Sequence, residues 1–274
     1  LKKQKKNDVE KVKKELSIVF PTLNEAENLI YLIPEFETML DSLNITNYEI
    51  KVIDDGSDDG THQLIKRLSE QNDRINLTVR SGDPSLPLSI WEGINTSIYK
   101  NVMWLDADGS MHTEAAKLLI EKYFLTGSVI IGSRFKDGGG YKGVKNLNDQ
   151  SIIKAINNVN KSEDSVIGSL ISIFFNKFLT LIFDSSIKDI TSGFIIGDKL
   201  NFTKNLFENF GYGEYFIVLV AHLQKKGIKA EEVAYICDTR KYGKSKTAPT
   251  LFKLILRGVP YITTAIKSRK DLRK

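Results

Sequence analysis

Short apolar runs that end in acidic residues recur along this chain, with segments of helical periodicity between them. The clearest run, Val102–Leu105, is followed by Asp106 and, two residues later, by Asp108. Alternation of this kind is typical of βαβ units and of a mostly parallel sheet. Because open α/β sheets bind ligands at the carboxyl ends of their strands, the acids that end these runs are predicted to share one site.

The pattern predicts an α/β fold with a mostly parallel central sheet flanked by helices. The predicted strands are Leu16–Pro21, Glu49–Asp54, Asn76–Arg80, Val102–Asp106, Val129–Ser133, Phe194–Gly197 and Glu232–Ile236. The predicted helices are Glu25–Leu40, Thr61–Gln71 and Thr113–Phe124. Residues 137–165 are rich in Gly, Asn, Lys and Ser, which indicates a mobile loop over the site.

Composition argues against several classes of protein. Cys237 is the single cysteine, so no intramolecular disulfide can form, and no Cys/His cluster has zinc-ligand spacing. Neither a P-loop nor a Gly-x-Gly-x-x-Gly motif follows a predicted strand, which argues against kinases and dehydrogenases. Residues 1–15 form a lysine-rich polar run without an apolar core, so we expect no signal peptide and a reducing, cytosolic compartment.

The net charge of +5 is unevenly distributed. Residues 1–14 carry +5, residues 238–274 carry +9, and the stretch between them carries −9. Basic ends on an acidic middle favour attachment to lipid headgroups or nucleic acid, with a solvated tail as the alternative for residues 1–14. The acidic middle, and the lack of aromatic residues interleaved with the basic ones, argue against a nucleic-acid partner.

Two apolar segments that contain charges bear on membrane contact. Apolar residues of Val166–Phe183 form a helical stripe, but Asn176 and Lys177 make it a poor transmembrane span. We therefore expect either a core helix or an interfacial helix lying on a bilayer. Leu251–Ile266, followed by the basic run Lys267–Lys270, is typical of an interfacial amphipathic helix with a polybasic end.

Several motifs occur in an order that resembles one family of enzymes. They are Pro21-Thr22-Leu23-Asn24-Glu25, Asp54-Asp55-Gly56-Ser57, Asp106-Ala107-Asp108, Gly132-Ser133-Arg134-Phe135, Gly138-Gly139-Gly140, Asp189-Ile190-Thr191-Ser192-Gly193 and Arg240-Lys241-Tyr242-Gly243-Lys244-Ser245-Lys246. Together they resemble family 2 glycosyltransferases, and their spacing is similar to that of dolichyl-phosphate (polyprenyl-phosphate) mannose and glucose synthases. The resemblance covers roughly Leu16 to Lys246.

The resemblance implies a Rossmann-like nucleotide-diphospho-sugar transferase (GT-A) fold. It implies a metal-dependent enzyme that uses Mg²⁺ or Mn²⁺ and transfers mannose or glucose, with inversion, from a GDP- or UDP-hexose to a polyprenyl or dolichyl phosphate. The alternative is a family member that acts on a saccharide acceptor in lipopolysaccharide, capsule or other cell-surface glycan synthesis. The expected location is the cytoplasm, peripheral on the cytoplasmic face of a membrane, with a membrane subunit as a possible partner.

The resemblance also divides the chain into three parts. Residues 1–15 form a basic N-terminal tail, residues 16–247 a single GT-A glycosyltransferase domain, and residues 248–274 an amphipathic, basic segment that associates with a membrane. The expected catalytic residues are Asp106, Asp108 and Arg134. The expected nucleotide-binding residues are Pro21, Leu23, Glu25, Asp54, Asp55 and Asp106. For Glu25, Asp54 and Asp55 the chemistry agrees, because carboxylates at strand ends can accept hydrogen bonds from a base and a ribose.

The metal ligands implied are Asp106, Asp108 and Ser110, where many relatives carry Gln in place of Ser110. Phosphate and acceptor binding is assigned to Arg134, Arg240, Lys244 and Lys246, because basic side chains, and arginine forks above all, suit phosphate oxygens. Asp189 is expected to orient the sugar or a basic partner, with a structural cap as the alternative. The chain departs from the family at Val218, where relatives place an acid, and nearby Glu214 is given no role.

Overall fold

The computed structural model describes residues 14–141, 175–183, 185–238, 240, 242 and 251–272, the last group with side chains from residue 258 onwards. Most of the loop predicted over residues 137–165 lies outside these residues, as does the first half of the helix predicted over Val166–Phe183. Lys244 and Lys246 also lie outside them, so their assignment to the acceptor stays a prediction.

The chain forms a mostly parallel sheet, as predicted. Its strands are β1 Glu15–Thr22, β2 Asn47–Asp54, β3 Ile75–Val79, β4 Asn101–Trp104, β5 Val129–Ser133, β6 Gly140–Tyr141, β7 Ile195–Asp198, β8 Ala230–Ala234 and β9 Ile236–Cys237. Seven of them form one sheet in the order β3-β2-β1-β4-β7-β5-β8, and β6 pairs with β9 in a separate ribbon. The predicted last strand is divided in two at Tyr235, whose carbonyl accepts a hydrogen bond from Gly140 N.

One strand runs against the others. β7 is antiparallel to both of its neighbours, β4 and β5, whereas the other pairs in the large sheet are parallel. Pattern alone did not predict this direction, because a buried strand has the same apolar run in either orientation. The consequence for the site is simple: β1, β2 and β4 share one carboxyl edge.

Helices cover both faces of the sheet. They are α1 Ala26–Ser42, α2 Thr61–Gln71, α3 Leu86–Thr96, α4 Thr113–Thr126, α5 over residues 175–183, α6 Tyr215–Lys225 and α7 Leu251–Leu272. The three predicted helices are confirmed, as α1, α2 and α4. The sequence analysis did not predict α3 or α6. Both helices are largely apolar, so their sequences lack the clear polar stripe that marks an amphipathic helix.

Two apolar cores lie on opposite faces of the sheet. Phe20 of β1 packs edge-on against Phe36 of α1, on the face that α1, α2 and α4 cover. On the other face the fully buried Trp104 packs against Phe202, and its Nε1 donates to the hydroxyl of Tyr215 at 3.1 Å. Trp104 ends β4 directly before Leu105 and Asp106, so this core fixes the strand end that carries the acids.

The C-terminal helix α7 packs on the domain. Ala265 is fully buried in the second core, and the hydroxyl of Tyr261 accepts a hydrogen bond from Gly213 N at 3.1 Å. The ring of Tyr261 also meets Phe175 of α5 with a centroid distance of 5.9 Å. Among the helices that the structure describes, none is long and apolar enough to cross a bilayer. Membrane association of residues 248–274 stays a prediction.

We expect Gly93→Ala to lower the free energy of unfolding by about 2 kcal/mol, because overpacking of a full core typically costs about 1–3 kcal/mol. A Cβ on Gly93 of α3 would lie 2.2 Å from Val19 Cγ1 of β1, which is fully buried. This clash outweighs the gain in helix propensity, about 1 kcal/mol at most. Urea unfolding measures the change. Gly211→Ala, whose Cβ would meet only Glu214 Oε1 at 3.4 Å, is the control and should leave stability unchanged.

Candidate functional site

Three of the predicted site residues meet at the carboxyl edge of the sheet. Glu25 follows β1 and Asp108 follows β4, and the guanidinium of Arg240 lies between them. Arg240 Nη1 is 3.0 Å from Glu25 Oε1, and Nη2 is 2.9 Å from Asp108 Oδ2. We call this pair of contacts the Arg240 bridge. It joins residues 215 positions apart in the sequence.

The pKa of Asp106 differs from that of an ordinary carboxyl group. Burial and the neighbouring charge of Asp108 raise its pKa to about 7, and the charges of Arg240 and Arg134 offset this only in part. Asp108 is held in a tight turn, because its Oδ1 accepts a hydrogen bond from Ser110 N at 2.9 Å. The charged form of Asp106 is therefore disfavoured at this edge, and a cation bound beside it would stabilise that form.

Asp106 and Asp108 suit a divalent cation whose other ligands come from a substrate and water. No cluster of three or more His, Cys, Asp or Glu side chains is arranged for a metal within the described ranges, and Asp106 and Asp108 supply two carboxylates. Mg²⁺ is often held by one or two carboxylates, with substrate phosphates and water completing its shell. Asp108 Oδ2, which now pairs with Arg240, would serve that cation. Ser110 contacts Asp108 through its backbone N–H, so its hydroxyl as a ligand stays a prediction.

Asp54 shapes the turn after β2. It is fully buried and accepts hydrogen bonds from Gly56 N at 2.9 Å, Ser57 N at 2.8 Å, and the Ser57 hydroxyl. Its Oδ1 also lies 2.6 Å from His62 Nε2 in the first turn of α2. Burial would raise the pKa of Asp54, but these hydrogen bonds more than offset it, and the pKa lies below its ordinary value. The contacts position the turn, and nucleotide binding by Asp54 stays a prediction.

Asp55 holds the connection between β3 and α3. One carboxylate oxygen pairs with the guanidinium of Arg80, and the other accepts from Ser85 N at 2.9 Å and the Ser89 hydroxyl at 2.7 Å. Sequence reasoning missed Arg80, Ser85 and Ser89. The two oxygens thus already have partners within the protein, and a role for Asp55 toward a nucleotide stays a prediction.

Pro21 and Leu23 flank the end of β1. Pro21 is buried in the strand, and Leu23 is half-buried just beyond it, before Glu25. Glu25 itself is buried, and its Oε2 accepts a hydrogen bond from Asn28 Nδ2 at 2.7 Å. The structure therefore brings Pro21, Leu23 and Glu25 to the same sheet edge as Asp106, as the sequence predicted.

Arg134 is the most firmly held cation of the site. Its Nε donates to Asp189 Oδ2 and its Nη2 to Asp189 Oδ1, both at 2.8 Å, and Nη2 also donates to the Thr191 carbonyl at 2.9 Å. The rings of Phe135 and Tyr141 lie 5.3 and 5.6 Å from the guanidinium carbon. Of the alternatives for Asp189, the contact with a basic partner is present, and so are contacts of a structural cap, because its carboxylate also accepts from Arg134 N at 3.0 Å and Thr191 N at 3.3 Å. A role toward a sugar stays a prediction.

Glu232 of β8 supports this pair and was missed in the sequence. Its Oε1 accepts from Asp189 N at 2.9 Å, and its Oε2 accepts from Lys188 N at 3.1 Å. The signal that could have found it is local: Glu232 is an acid in a strand predicted to be buried, where an acid needs a partner. Glu232, Asp189 and Arg134 thus form a chain of contacts that fixes the guanidinium.

We expect Mn²⁺ to bind about tenfold more tightly at pH 8 than at pH 6, because a proton on Asp106, with its pKa near 7, competes with the cation. Isothermal titration calorimetry with Mn²⁺ alone measures this. Asp106→Asn should weaken binding and abolish the pH dependence, whereas Asp83→Asn, in an exposed loop, should change neither. An affinity that is equal at both pH values in the unmodified protein would contradict the expectation.

Asp189→Ala should lower the free energy of unfolding by about 3–5 kcal/mol, because it leaves the largely buried guanidinium of Arg134 without its carboxylate. Chemical unfolding at neutral pH gives the value. Lys100→Ala breaks an exposed ion pair with Asp198, 3.3 Å long, and serves as the control with an expected change of about 1 kcal/mol or less. Equal losses in the two variants would show that the Arg134 pair adds no more than a surface contact.

Comparison with known proteins identifies the family. The model of glycosyl transferase family 2 matches residues 17–197. A dolichol-phosphate mannosyltransferase of Pyrococcus furiosus is 32% identical over 124 residues, which are 45% of this chain and 34% of that protein. A polyprenol monophosphomannose synthase of Mycolicibacterium smegmatis is 29% identical over 126 residues, 44% of this chain and 46% of that protein. The matched region is therefore less than half the length of either relative.

Solved structures agree on the fold. Glucosyl-3-phosphoglycerate synthase from Mycobacterium tuberculosis, in complex with phosphoglyceric acid, superposes with a TM-score of 0.58 at 14% identity, over 94% of this chain and 80% of that one. The same enzyme in complex with Mn²⁺, UDP and phosphoglyceric acid also gives 0.58 at 14% identity, over 93% and 78%. The predicted GT-A fold is thereby confirmed. Since the family model matches about two thirds of its residues, this chain belongs to glycosyl transferase family 2.

Proposed function

We propose that this protein transfers mannose or glucose from a nucleotide-diphospho-sugar to a polyprenyl phosphate, with inversion at the anomeric carbon and with Mg²⁺ or Mn²⁺ as cofactor. The observation that carries the proposal is the pairing of an acidic edge with two arginines. Glu25, Asp106 and Asp108 lie beside Arg240, and the charge of Arg134 is close enough to lower the pKa of Asp106. The names of the two curated relatives support the same acceptor class.

The donor half of the site has the chemistry that a nucleotide diphosphate needs. Asp106 and Asp108 would hold the cation, which supplies charge neutralisation for the leaving diphosphate. Arg240 already reaches Asp108, so its fork is placed to bind a phosphate oxygen beside that cation. Glu25, an acid at the same edge, would accept a hydrogen bond from ribose or base.

The acceptor half needs positioning more than proton transfer. A phosphate monoester has its second pKa near about 6, so at neutral pH it is mostly a dianion and already a nucleophile. Arg134 stays charged at any physiological pH, and Asp189 and Thr191 fix its orientation. These contacts use Nε and Nη2, so Nη1 of this fixed guanidinium is the atom that would donate to a phosphate pointing at the anomeric carbon.

Glu214 bears on the choice between acceptors. A saccharide hydroxyl needs a general base, and the carboxylate nearest the expected place is Glu214, since Val218 stands where relatives carry an acid. Glu214 accepts hydrogen bonds from Gly211 N at 2.6 Å and Tyr212 N at 3.1 Å, so its two oxygens close the turn before α6. This arrangement favours the phosphate acceptor over the saccharide alternative.

The face formed by α5 and α7 supports a membrane location. Exposed apolar side chains of these two helices are Phe178, Leu181, Val259 and Ile266, and their exposed lysines are Lys177, Lys267 and Lys270. Phe175 and Gly258 are in contact range, so the two helices are neighbours. We propose that this face rests on the cytoplasmic leaflet, where anionic headgroups attract the lysines and the apolar side chains enter the interface.

A transfer assay tests the proposed function. Purified protein with Mn²⁺, labelled GDP- or UDP-mannose or -glucose, and vesicles that contain dolichyl or undecaprenyl phosphate should move label into the organic phase. Asp108→Ala should reduce this transfer by about 100-fold or more, because loss of a group that stabilises leaving-group charge commonly costs about 10²–10³ in rate. Asp83→Ala, in an exposed loop, should retain full activity.

The same assay separates the alternatives. Label that appears in the organic phase with one donor identifies the sugar and the base. If the donor binds or is hydrolysed while no lipid is labelled, the phosphate acceptor is wrong and the saccharide acceptor takes its place.

A further inference from the structure

Two exposed tyrosines, neither of which has been given a role, stack beside the edge that carries Glu25, Asp106 and Asp108. Tyr31 projects from α1, and Tyr242 lies two residues beyond Arg240. Their ring centroids are 5.7 Å apart and the ring planes differ by 19°, although the two side chains are 53% and 42% exposed. Stacked aromatic pairs attract each other beyond the area they bury, so this pair fixes the backbone at Tyr242 to α1.

The described residues of this part of the chain are tied down at three points. Asp238 N donates to the Ser110 carbonyl at 2.9 Å, next to the turn that carries Asp108. Arg240 then bridges Asp108 and Glu25, and the Tyr242 carbonyl accepts from Asn28 Nδ2 at 3.4 Å. The three points cross the acidic edge from the end of β4 to the first turns of α1.

The Arg240 bridge places a positive charge between Glu25 and Asp108, two of the acids at this edge. Its Nη2 occupies Asp108 Oδ2, the oxygen that a cation bound to Asp108 would also use. A cation and this guanidinium therefore compete for Asp108. Asn28, which contacts Tyr242, also donates to Glu25 Oε2 at 2.7 Å, so the anchor on α1 and the bridged acid are linked.

We propose that Tyr31 is a positioning residue: through its stack with Tyr242 it holds Arg240 between Glu25 and Asp108, which makes Arg240 compete with a divalent cation until donor phosphates bind the guanidinium. The cation and the donor in this statement rest on the proposed function. Two consequences of opposite sign follow when the ring is removed. The cation alone binds more tightly, and the donor binds less tightly, because its phosphates no longer meet a pre-positioned fork.

The first test is calorimetric titration of Mn²⁺ alone. Tyr31→Ala should bind Mn²⁺ about two- to tenfold more tightly than the unmodified protein, the range that corresponds to one aromatic stack. Tyr31→Phe keeps the ring and should match the unmodified protein. Ile30→Ala removes an exposed side chain from the neighbouring position of α1 and should also have no effect.

A double-mutant cycle shows whether Tyr31 acts through Arg240. Arg240→Ala should strengthen Mn²⁺ binding by itself, and Tyr31→Ala should add nothing in that background. In the transfer assay, Tyr31→Ala should raise the KM of the donor severalfold and leave kcat within twofold. Additive effects of the two substitutions on Mn²⁺ affinity would overturn the proposal.

Hydrogen exchange gives a readout that needs neither metal nor activity. The amide of Asp238, bonded to the Ser110 carbonyl, should exchange several times faster in Tyr31→Ala than in Tyr31→Phe. Equal exchange, together with unchanged Mn²⁺ affinity, would show that the stack does not hold the segment. If the unmodified protein binds no Mn²⁺, the metal part of the proposed function fails, and the exchange comparison alone decides for or against the anchor.

Discussion

The parallel pairing of β1 with β2 and β4 is the constraint on which the site depends. Register places Thr22 opposite Asp54 and Val19 opposite Trp104, so the chain leaves all three strands at the same edge. Acids that are far apart in sequence are thereby brought to one edge. Burial, charge repulsion from the neighbouring Asp108 and a smaller contribution from Glu25 raise the pKa of Asp106 there. The buried ring of Trp104 keeps the end of β4 in place against that repulsion.

The two arginines near these acids, Arg134 and Arg240, are held in different ways. Arg134 is fixed by Asp189 and Thr191, neither of which is assigned to the nucleotide or the cation, so its orientation does not depend on either ligand. Arg240 is held by Glu25 and Asp108, the same acids that a donor and a cation would use. One fork is therefore permanent and the other is exchangeable. This difference suits a site where one phosphate must be oriented and another must be released with its nucleotide.

Sequence reasoning found the strands and the residues at their ends, and it could not find their partners. An apolar run followed by an acid is a local signal, which is why β1, β2 and β4 and their acids were predicted. The contacts that define the site join residues 25, 55 and 215 positions apart: Arg80 with Asp55, Arg134 with Asp189, and Arg240 with Glu25. No local pattern encodes such pairs. For the same reason the antiparallel direction of β7 and the support from Glu232 became visible only in the fold.

Glu214 shows how a side chain of suitable chemistry can be held in a structural role by its neighbours. A carboxylate before α6 invites assignment as a general base, because it stands four residues from the position where relatives carry an acid. Its oxygens instead satisfy two backbone N–H groups in a turn that contains Gly211 and Gly213. Tyr261 of α7 accepts from Gly213 N in the same turn, so this turn also contacts the C-terminal helix. Moving Glu214 toward a substrate would break its own two hydrogen bonds in that turn. A phosphate acceptor, already ionised, removes the need for that movement.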